Sequence, residues 1–377
     1  MDRNEKGHLV AVVGMSCRFP EAESLDAYWR LIVQGGTAMK TLDAETLQQS
    51  PHAELCAHAD YVPVDCGLRD IREFDHAYFN CSPREAAVLD PQQRLLLSAC
   101  VRAMENGGQP IGDEHGHLTA VYASVGQTTY MMLHLLPRVM AGEVDYLEAM
   151  LGNDKDYAAT RVSYKLNLRG PAMTVQSACS SSLLAVHTAV QSLLVGECDT
   201  ALAAAATVVS PERMGYLYVE GGMRSPDGQC HPYDASGMGT IFGSGAAAVV
   251  LKRLEDAERD RDYIWAVIRS SAANNDGAAK VGFTAPCVSA QAEVIREAME
   301  LAKEWKAWTV LELGEDFLLH CLEVQDRAQE MKRSLMEELQ RNDPPPNKAN
   351  DPMGWVQHMN ALEAEAEEIV TRTVVYS

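Results

Sequence analysis

An α/β layered fold is predicted by the alternation of apolar runs along the sequence, while composition and length indicate the size of its core and the number of domains. Short apolar runs alternate with longer segments whose apolar residues recur at helical spacing, an order typical of a sheet covered by helices. Hydrophobic residues make up 47% of the 377 residues, which is enough for a sizeable core. The length suggests either two or three domains or one large duplicated fold with an appendage.

The predicted elements follow from these two patterns. Strands are expected where the apolar runs are short, at residues 10–13, 120–125, 172–175, 201–209, 246–251 and 264–270. Helices are expected at residues 25–33, 91–105, 180–194 and 290–302. The second helix begins with Asp90 before Pro91, an N-cap residue followed by proline at the first helical position. The last helix is expected to have one solvent-exposed face, formed by Glu293, Arg296, Glu297 and Glu300.

The segment Val175-Gln-Ser-Ala-Cys-Ser-Ser-Ser-Leu-Leu-Ala-Val-His187 predicts a nucleophile. An apolar run reaches a corner of small residues, then Cys179, then a helix with Leu183, Val186 and Val190 on one face. At a helix N-terminus, unpaired N–H groups and the helix dipole favour a thiolate. The small neighbours leave room for a thioester, and backbone N–H groups at such a turn can hold an oxyanion. Cys179 is therefore the candidate nucleophile for acyl transfer, in preference to a buried inert cysteine.

Six ordered motifs extend this interpretation over about 300 residues. They are Val10-Ala-Val-Val-Gly-Met-Ser-Cys-Arg-Phe-Pro20, Phe74-Asp-His-Ala-Tyr-Phe-Asn-Cys-Ser-Pro-Arg-Glu85 with Leu89-Asp-Pro-Gln-Gln-Arg-Leu-Leu-Leu97, Tyr157-Ala-Ala-Thr-Arg-Val-Ser-Tyr-Lys-Leu-Asn-Leu-Arg-Gly-Pro171, the Cys179 segment, Ser225-Pro-Asp-Gly-Gln-Cys-His-Pro-Tyr-Asp234, and Asn274-Asn-Asp-Gly-Ala-Ala-Lys-Val-Gly-Phe-Thr-Ala-Pro286. Together they resemble the β-ketoacyl synthases of modular type I polyketide synthases, members of the thiolase superfamily.

The resemblance implies a thiolase-type layered fold with a complete first half and an incomplete second half. It implies an acyltransferase whose Cys179 accepts an acyl group from the phosphopantetheine thioester of an acyl carrier protein, with no bound cofactor and no metal. A homodimer formed through residues 173–179 is also implied, because the apolar segment leading to Cys179 resembles the interface strand of the family.

The resemblance ends near residues 299–303, before two histidine motifs of the family. Neither the His-Gly-Thr-Gly-Thr motif nor the later Asn-x-Gly-His motif occurs in this sequence. The histidines after Cys179 are His187, His231, His320 and His358, and none has those neighbours. Since these motifs support decarboxylation and carbonyl polarisation in the family, condensation is expected to be deficient. Ser244 also stands where the family usually has glutamate, and His231 where it usually has arginine.

Other prominent side chains are expected to have structural roles. His187 lies on or beside the apolar face of its helix, which favours a packed histidine. Asp90 is expected to begin a helix, and Asn275 and Asp276 are expected to order a loop.

A helical hairpin is predicted for the tail. Apolar residues alternate four and three apart on a helix that ends near Arg341, three prolines at 344–346 break it, and a second stripe follows. The tail resembles the C-terminal part of the transposon-encoded TnpV proteins in Met353-Gly-Trp-Val-Gln-His-Met-Asn360, Glu365-Ala-Glu-Glu-Ile-Val370 and Val374-Val-Tyr-Ser377. The predicted domains are a synthase-like domain at 1–302 and a TnpV-like tail at 303–377.

Composition excludes several function classes. The net charge of −21 argues against binding to nucleic acid or anionic membranes, which requires clustered Lys and Arg. The ten cysteines form no C-x-x-C pair, so neither a zinc ribbon nor a disulfide framework is indicated. The apolar run at the N-terminus is too short for a signal peptide, and a cytoplasmic protein is expected.

Three hypotheses remain open from the sequence. The first is a β-ketoacyl synthase that still accepts an acyl group on Cys179. The second is an inactive fragment that serves as a dimerisation or carrier-docking module. The third is a fusion, produced by a transposon or by misassembly, whose function lies in the tail.

Overall fold

Two compact units make up the chain. The computed structural model describes residues 8–48, 53–112, 118–209, 214–232, 234–278, 285–302 and 330–346, together with 280, 282 and several positions between 355 and 370. The first unit comprises Met1–Ala53, Pro63–Gly215 and Phe242–Ser271. The second comprises Glu54–Val62, Tyr216–Ile241 and Ala272–Ser377.

Strands and helices alternate along the chain. The strands are β1 (Val10–Arg18), β2 (Lys40–Thr41), β3 (Tyr61–Val62), β4 (Val64–Asp65), β5 (Thr119–Val125), β6 (Ala172–Thr174), β7 (Thr200–Thr207), β8 (Tyr216–Leu217), β9 (Gly245–Arg253) and β10 (Ala266–Ile268). The α-helices are α1 (Leu25–Val33), α2 (Ala44–Gln48), α3 (Pro83–Val88), α4 (Pro91–Asn106), α5 (Leu136–Met140), α6 (Tyr146–Asn153), α7 (Ala158–Leu166), α8 (Ser181–Leu194), α9 (Leu254–Asp260) and α10 (Val288–Leu301).

The first unit is built on a mixed sheet. Within the described residues, six strands pair in the order β10-β1-β9-β7-β5-β6. Strands β5, β6 and β7 run parallel, whereas β9 is antiparallel to both β7 and β1. Because parallel strands end at the same edge, the segments after β5, β6 and β7 meet at one edge of the sheet.

Helices cover both faces of this sheet. On one face, Val121 and Ala123 of β5 belong to a core cluster that includes Leu96 of α4 and Val162 of α7. On the other face, Tyr122 of the same strand packs in a cluster with residues of α8. This alternation along β5 is what a strand buried on both faces requires, since successive side chains point to opposite sides. The result is the α/β layering that the sequence predicts.

Most predicted elements of the first unit occur near their expected bounds. Helix α1 has the predicted range, and α4 and α8 differ from theirs by one residue at one end. Strand β1 runs five residues further than predicted, across a shift in register with β9 between Val12 and Gly14. Helices α5, α6 and α7 were not predicted. Among the described residues, every helix is too short or too polar to cross a lipid bilayer.

The second unit contains the described part of the tail. Residues 330–342 are helical, in agreement with the predicted first helix of the hairpin. Leu362, Ala366 and Val370 are buried at intervals of four residues. Val370 packs in one cluster with Ala285, and the partly buried Met331 and Leu335 lie against it. The predicted apolar positions before 330 lie outside the described residues.

Gly14 allows β1 to approach α4 closely, and we expect Gly14→Ala to destabilise the fold. A Cβ at this position would clash with the backbone oxygen of Ala103 and lie 3.0 Å from the backbone nitrogen of Gly107. Backbone atoms cannot rotate away, so we expect a loss of roughly 1–3 kcal/mol in the free energy of unfolding, measured by urea denaturation.

Gly36→Ala is the matched control for this substitution. A Cβ at position 36 would meet the tip of the Leu31 side chain, Cδ1, at 2.8 Å, and a side chain can move. An unfolding free energy of Gly14→Ala equal to that of Gly36→Ala would contradict the expected clash.

Candidate active site

Cys179 lies at the edge of the sheet where the parallel strands end. We call residues 175–181 the elbow. Its first residue continues from β6, with the Val175 N–H donating to the Ala123 carbonyl, and Gln176 Nε2 donates to the Val125 carbonyl at 3.1 Å. A 3-10 turn at Ala178–Ser180 then leads into α8. Cys179 is exposed. The predicted order of strand, turn and helix is therefore present.

Residues Asp90–Arg94, part of the second sequence motif and called the Asp90–Arg94 signature below, form hydrogen bonds to the same edge of the sheet. They lie on the face opposite α8. Gln92 Nε2 donates to the Gln127 carbonyl after β5 at 3.3 Å, and Gln92 Oε1 accepts from the Val208 N–H after β7 at 3.3 Å. Asp90 accepts from Thr128 Oγ1 at 2.8 Å. Burial raises the pKa of Asp90, although its hydrogen bonds oppose the shift. These contacts agree with the structural role expected for Asp90.

Ser244 and His187 both form hydrogen bonds within the first unit. Ser244, which is buried, accepts from the Val209 N–H at 2.9 Å and donates its own N–H to the Cys66 carbonyl at 2.9 Å. His187 Nδ1 lies 2.9 Å from Ser271 Oγ, and the ring is partly buried. This agrees with the packed histidine expected from the sequence.

The loop residues of the second unit form local contacts. His231 Nε2 lies 3.3 Å from Asp227 Oδ2, and the hydrogen bond from Ser225 is the main reason that the pKa of Asp227 is lowered. Asn275 Oδ1 accepts from the Gly277 N–H at 2.9 Å. Asp276 Oδ2 accepts from the Cys287 N–H at 3.4 Å, so both residues order the loop as expected. His320 lies outside the described residues.

Burial distinguishes Cys179 from most other thiols. Burial raises the pKa of Cys17, Cys66, Cys81, Cys198 and Cys100, in the last case to about 12. Among the described cysteines, Cys179 and Cys230 are the exposed ones. A high pKa lowers the thiolate fraction at neutral pH, and the thiolate is the reactive form.

Cys179 is expected to react faster than the other thiols of the folded protein. Its exposure and its position just before α8 both favour attack on a small electrophile. Brief treatment with iodoacetamide, followed by peptide mass mapping, measures the order of labelling. Preferential labelling of Cys230, or of a buried cysteine, would contradict this expectation.

A separate cavity of about 550 Å³ opens beside the Asp90–Arg94 signature. Its lining includes Arg72, Asp90, Arg94, Tyr130 and Arg138. Cys179, which the structure describes, does not line this cavity.

Two families match the sequence in separate regions. The family described as Beta-ketoacyl synthase, N-terminal domain, matches residues 8–257. The family described as Transposon-encoded protein TnpV matches residues 298–375. Both resemblances predicted from the motifs are thereby confirmed.

Similar proteins include long polyketide synthases. A phenolphthiocerol/phthiocerol polyketide synthase protein of Mycobacterium tuberculosis is 43% identical over an alignment of 297 residues, which covers 77% of this chain and 20% of that protein. Polyketide synthase PksN of Bacillus subtilis is 37% identical over an alignment of 302 residues, which covers 78% of this chain and 5% of that protein. This chain thus spans a fifth or less of the length of these relatives.

Solved ketosynthases share the fold. Ketosynthase twelve of the bacillaene polyketide synthase of Bacillus amyloliquefaciens superposes with a TM-score of 0.73 at 35% identity, covering 79% of this chain and 52% of that one. The ketosynthase from module 1 of the bacillaene synthase of Bacillus amyloliquefaciens gives a TM-score of 0.68, also at 35% identity, covering 80% of this chain and 52% of that one. The predicted thiolase-type layered fold is confirmed.

Proposed function

This chain belongs to the β-ketoacyl synthase family, and from that premise we propose that Cys179 accepts an acyl group from a carrier-protein thioester. The observation that carries the proposal is the exposed position of Cys179 in the elbow, between β6 and α8. An exposed thiol at the start of a helix suits a nucleophile, whereas a structural cysteine is usually buried.

The transfer exchanges one thioester for another. The Cys179 thiol loses its proton to solvent, and the thiolate attacks the carbonyl carbon of the acyl group on the carrier's phosphopantetheine arm. The new carbon–sulfur bond forms while an oxyanion develops, and backbone N–H groups at such a turn can stabilise it. Collapse breaks the original carbon–sulfur bond, and the phosphopantetheine sulfur leaves as a thiolate that takes a proton from solvent. No bound cofactor takes part in this exchange.

Acyl loading of the purified full chain tests this proposal. The protein is incubated with an acyl-loaded carrier protein, and intact-mass spectrometry followed by peptide mapping locates the acyl group. Transfer to the peptide containing Cys179 supports the proposal. Absence of any acyl adduct on this chain would overturn it and favour the alternative role as an inactive dimerisation or docking module.

We also expect a homodimer that forms through β6 and the elbow. Among the described strands, β6 is at the end of the sheet order. Two large apolar side chains are open to solvent in this part of the sequence, Met173 of β6 at 49% and Leu183 near the start of α8 at 74% exposed. Large apolar side chains at a free strand edge favour association. Sedimentation of the wild-type chain should give twice its mass of 41.3 kDa.

A matched pair of variants locates the interface. Leu183→Asp, near the start of α8, should weaken the dimer by about tenfold or more, because it places a charge in an apolar contact. Val195→Asp is the control, since Val195 is similarly exposed at 70% but follows the opposite end of the same helix. A wild-type monomer at micromolar concentration, or equal effects of the two variants, would count against this interface.

A further inference from the structure

The elbow holds one residue in an unfavourable backbone conformation. Ala178, directly before Cys179, has a φ of +55°, in the left-handed region that residues with a Cβ rarely occupy. That conformation is unfavourable for a residue such as alanine, because its Cβ comes too close to the following carbonyl oxygen. It persists only where neighbouring groups fix the backbone, and such positions concentrate at functional sites.

One hydroxyl holds the backbone on both sides of Ala178. Ser181 Oγ accepts from the Ser177 N–H at 2.9 Å and donates to the Ala178 carbonyl at 2.7 Å. Ser181 is 7% exposed, so water has little access to replace these bonds. The Ser180 hydroxyl also bonds within the turn, to the Ser177 carbonyl at 3.1 Å, but Ser180 is exposed and leaves the Ala178 carbonyl untouched.

We propose that Ser181 is a positioning residue for the nucleophile, which fixes the left-handed turn at Ala178 so that Cys179 is presented for acyl transfer. The proposal rests on the proposed function of Cys179. Ser181 acts through the backbone, since its hydroxyl is engaged with Ser177 and Ala178. A hydroxyl with a donor and an acceptor bond is required, and alanine can provide neither.

Three variants of the full chain test the role of Ser181. Ser181→Ala removes both bonds, Ser181→Thr keeps the hydroxyl, and Ser182→Ala removes a neighbouring hydroxyl from an exposed position of the same helix. A misplaced reacting group typically costs on the order of 10²-fold in rate, so we expect Ser181→Ala to lower the maximal rate of acyl loading by roughly 10- to 100-fold. The carrier concentration at half-maximal rate should stay unchanged, because the carrier surface is intact.

The pattern across the variants decides the proposal. Loss in Ser181→Ala with recovery in Ser181→Thr and a wild-type rate in Ser182→Ala supports a positioning role. Wild-type loading by Ser181→Ala, equal losses in Ser181→Ala and Ser182→Ala, or an effect confined to the half-maximal concentration overturns it.

Two further measurements keep the proposal open to refutation. If Ser181→Ala does not fold, Ser181→Val replaces it, because valine keeps the shape of threonine without the hydroxyl. Slow loading by folded Ser181→Val beside normal loading by Ser181→Thr supports the proposal, and wild-type loading by Ser181→Val overturns it. If the wild-type chain accepts no acyl group, the proposed function fails, and the alkylation rate of Cys179 in the same variants tests the positioning role separately.

Discussion

Cys179→Ala is expected to abolish acyl loading. Alanine has no nucleophilic atom, and loss of a covalent nucleophile lowers such reactions by more than about 10³-fold. The substitution leaves the framework intact, because Cys179 is exposed and lies outside the core clusters of the first unit. The acyl adduct measured by intact mass should fall below detection, while the unfolding free energy stays near that of the wild type.

Cys230→Ala is the control for this loss. Cys230 is the other exposed cysteine among those described, and its Sγ lies 3.8 Å from Thr240 Oγ1 in a loop of the second unit. It should load acyl groups at the wild-type rate. Continued loading of Cys179→Ala, or loss of loading in Cys230→Ala, would mean that the acylated residue lies outside the elbow.

The sequence predicted the sheet well because its strands carry strong local signals. Strands β5 and β7 are buried on both faces over most of their length, so each is a nearly continuous apolar run, and β9 has a similar run at residues 246–251. Helix α4 was predicted from the Asp90-Pro91 pair at its N-terminus. The structure agrees, because Asp90 accepts a hydrogen bond from the Gln92 N–H as an N-cap residue. Strand β1 extends past its apolar run because pairing with β9 continues across the bulge, a contact that the local pattern does not encode.

Short helices, and hydrogen bonds that exist only in the folded turn, explain what the sequence did not predict. Helices α5 and α6 are short, with five and eight residues, and local periodicity is weak over such lengths. The position of Cys179 followed from the order of strand, turn and helix. The role of Ser181 did not, because its hydroxyl meets Ser177 and Ala178 only once the turn has formed. The run of three serines after Cys179 was the available signal, but it does not single out Ser181.

A condensed β-ketoacyl product is not expected from this chain, even where Cys179 accepts an acyl group. Carbon–carbon bond formation requires an extender unit to lose carbon dioxide, and the enolate that results needs preorganised donors. One such donor contributes about 10²–10³-fold, and an acid or base partner typically adds about 10²–10⁴-fold. The sequence contains neither of the two family histidine motifs that supply these groups.

The described histidines that follow Cys179 are engaged with other groups. His187 is engaged with Ser271 Oγ at 2.9 Å in the first unit. His231 is paired with Asp227, and His358 Nε2 lies 2.8 Å from the Asp343 carbonyl oxygen within the tail. Ser244, which stands where the family usually has glutamate, is bonded to backbone groups and provides no carboxylate. We therefore expect this protein to accept an acyl group without forming a condensed product.

Carrier proteins loaded with an acyl group and with a malonyl group provide the decisive experiment. Intact-mass spectrometry of both partners follows the acyl-enzyme and the condensed product in one reaction, and a complete ketosynthase that retains both histidine motifs serves as the positive control. We expect acyl-Cys179 to accumulate and the condensed product to remain at least about 10⁴-fold below the control, the combined loss of a donor and an acid–base partner. Condensed product that disappears in Cys179→Ala would refute this expectation, because it would require another group of this chain to stabilise the enolate.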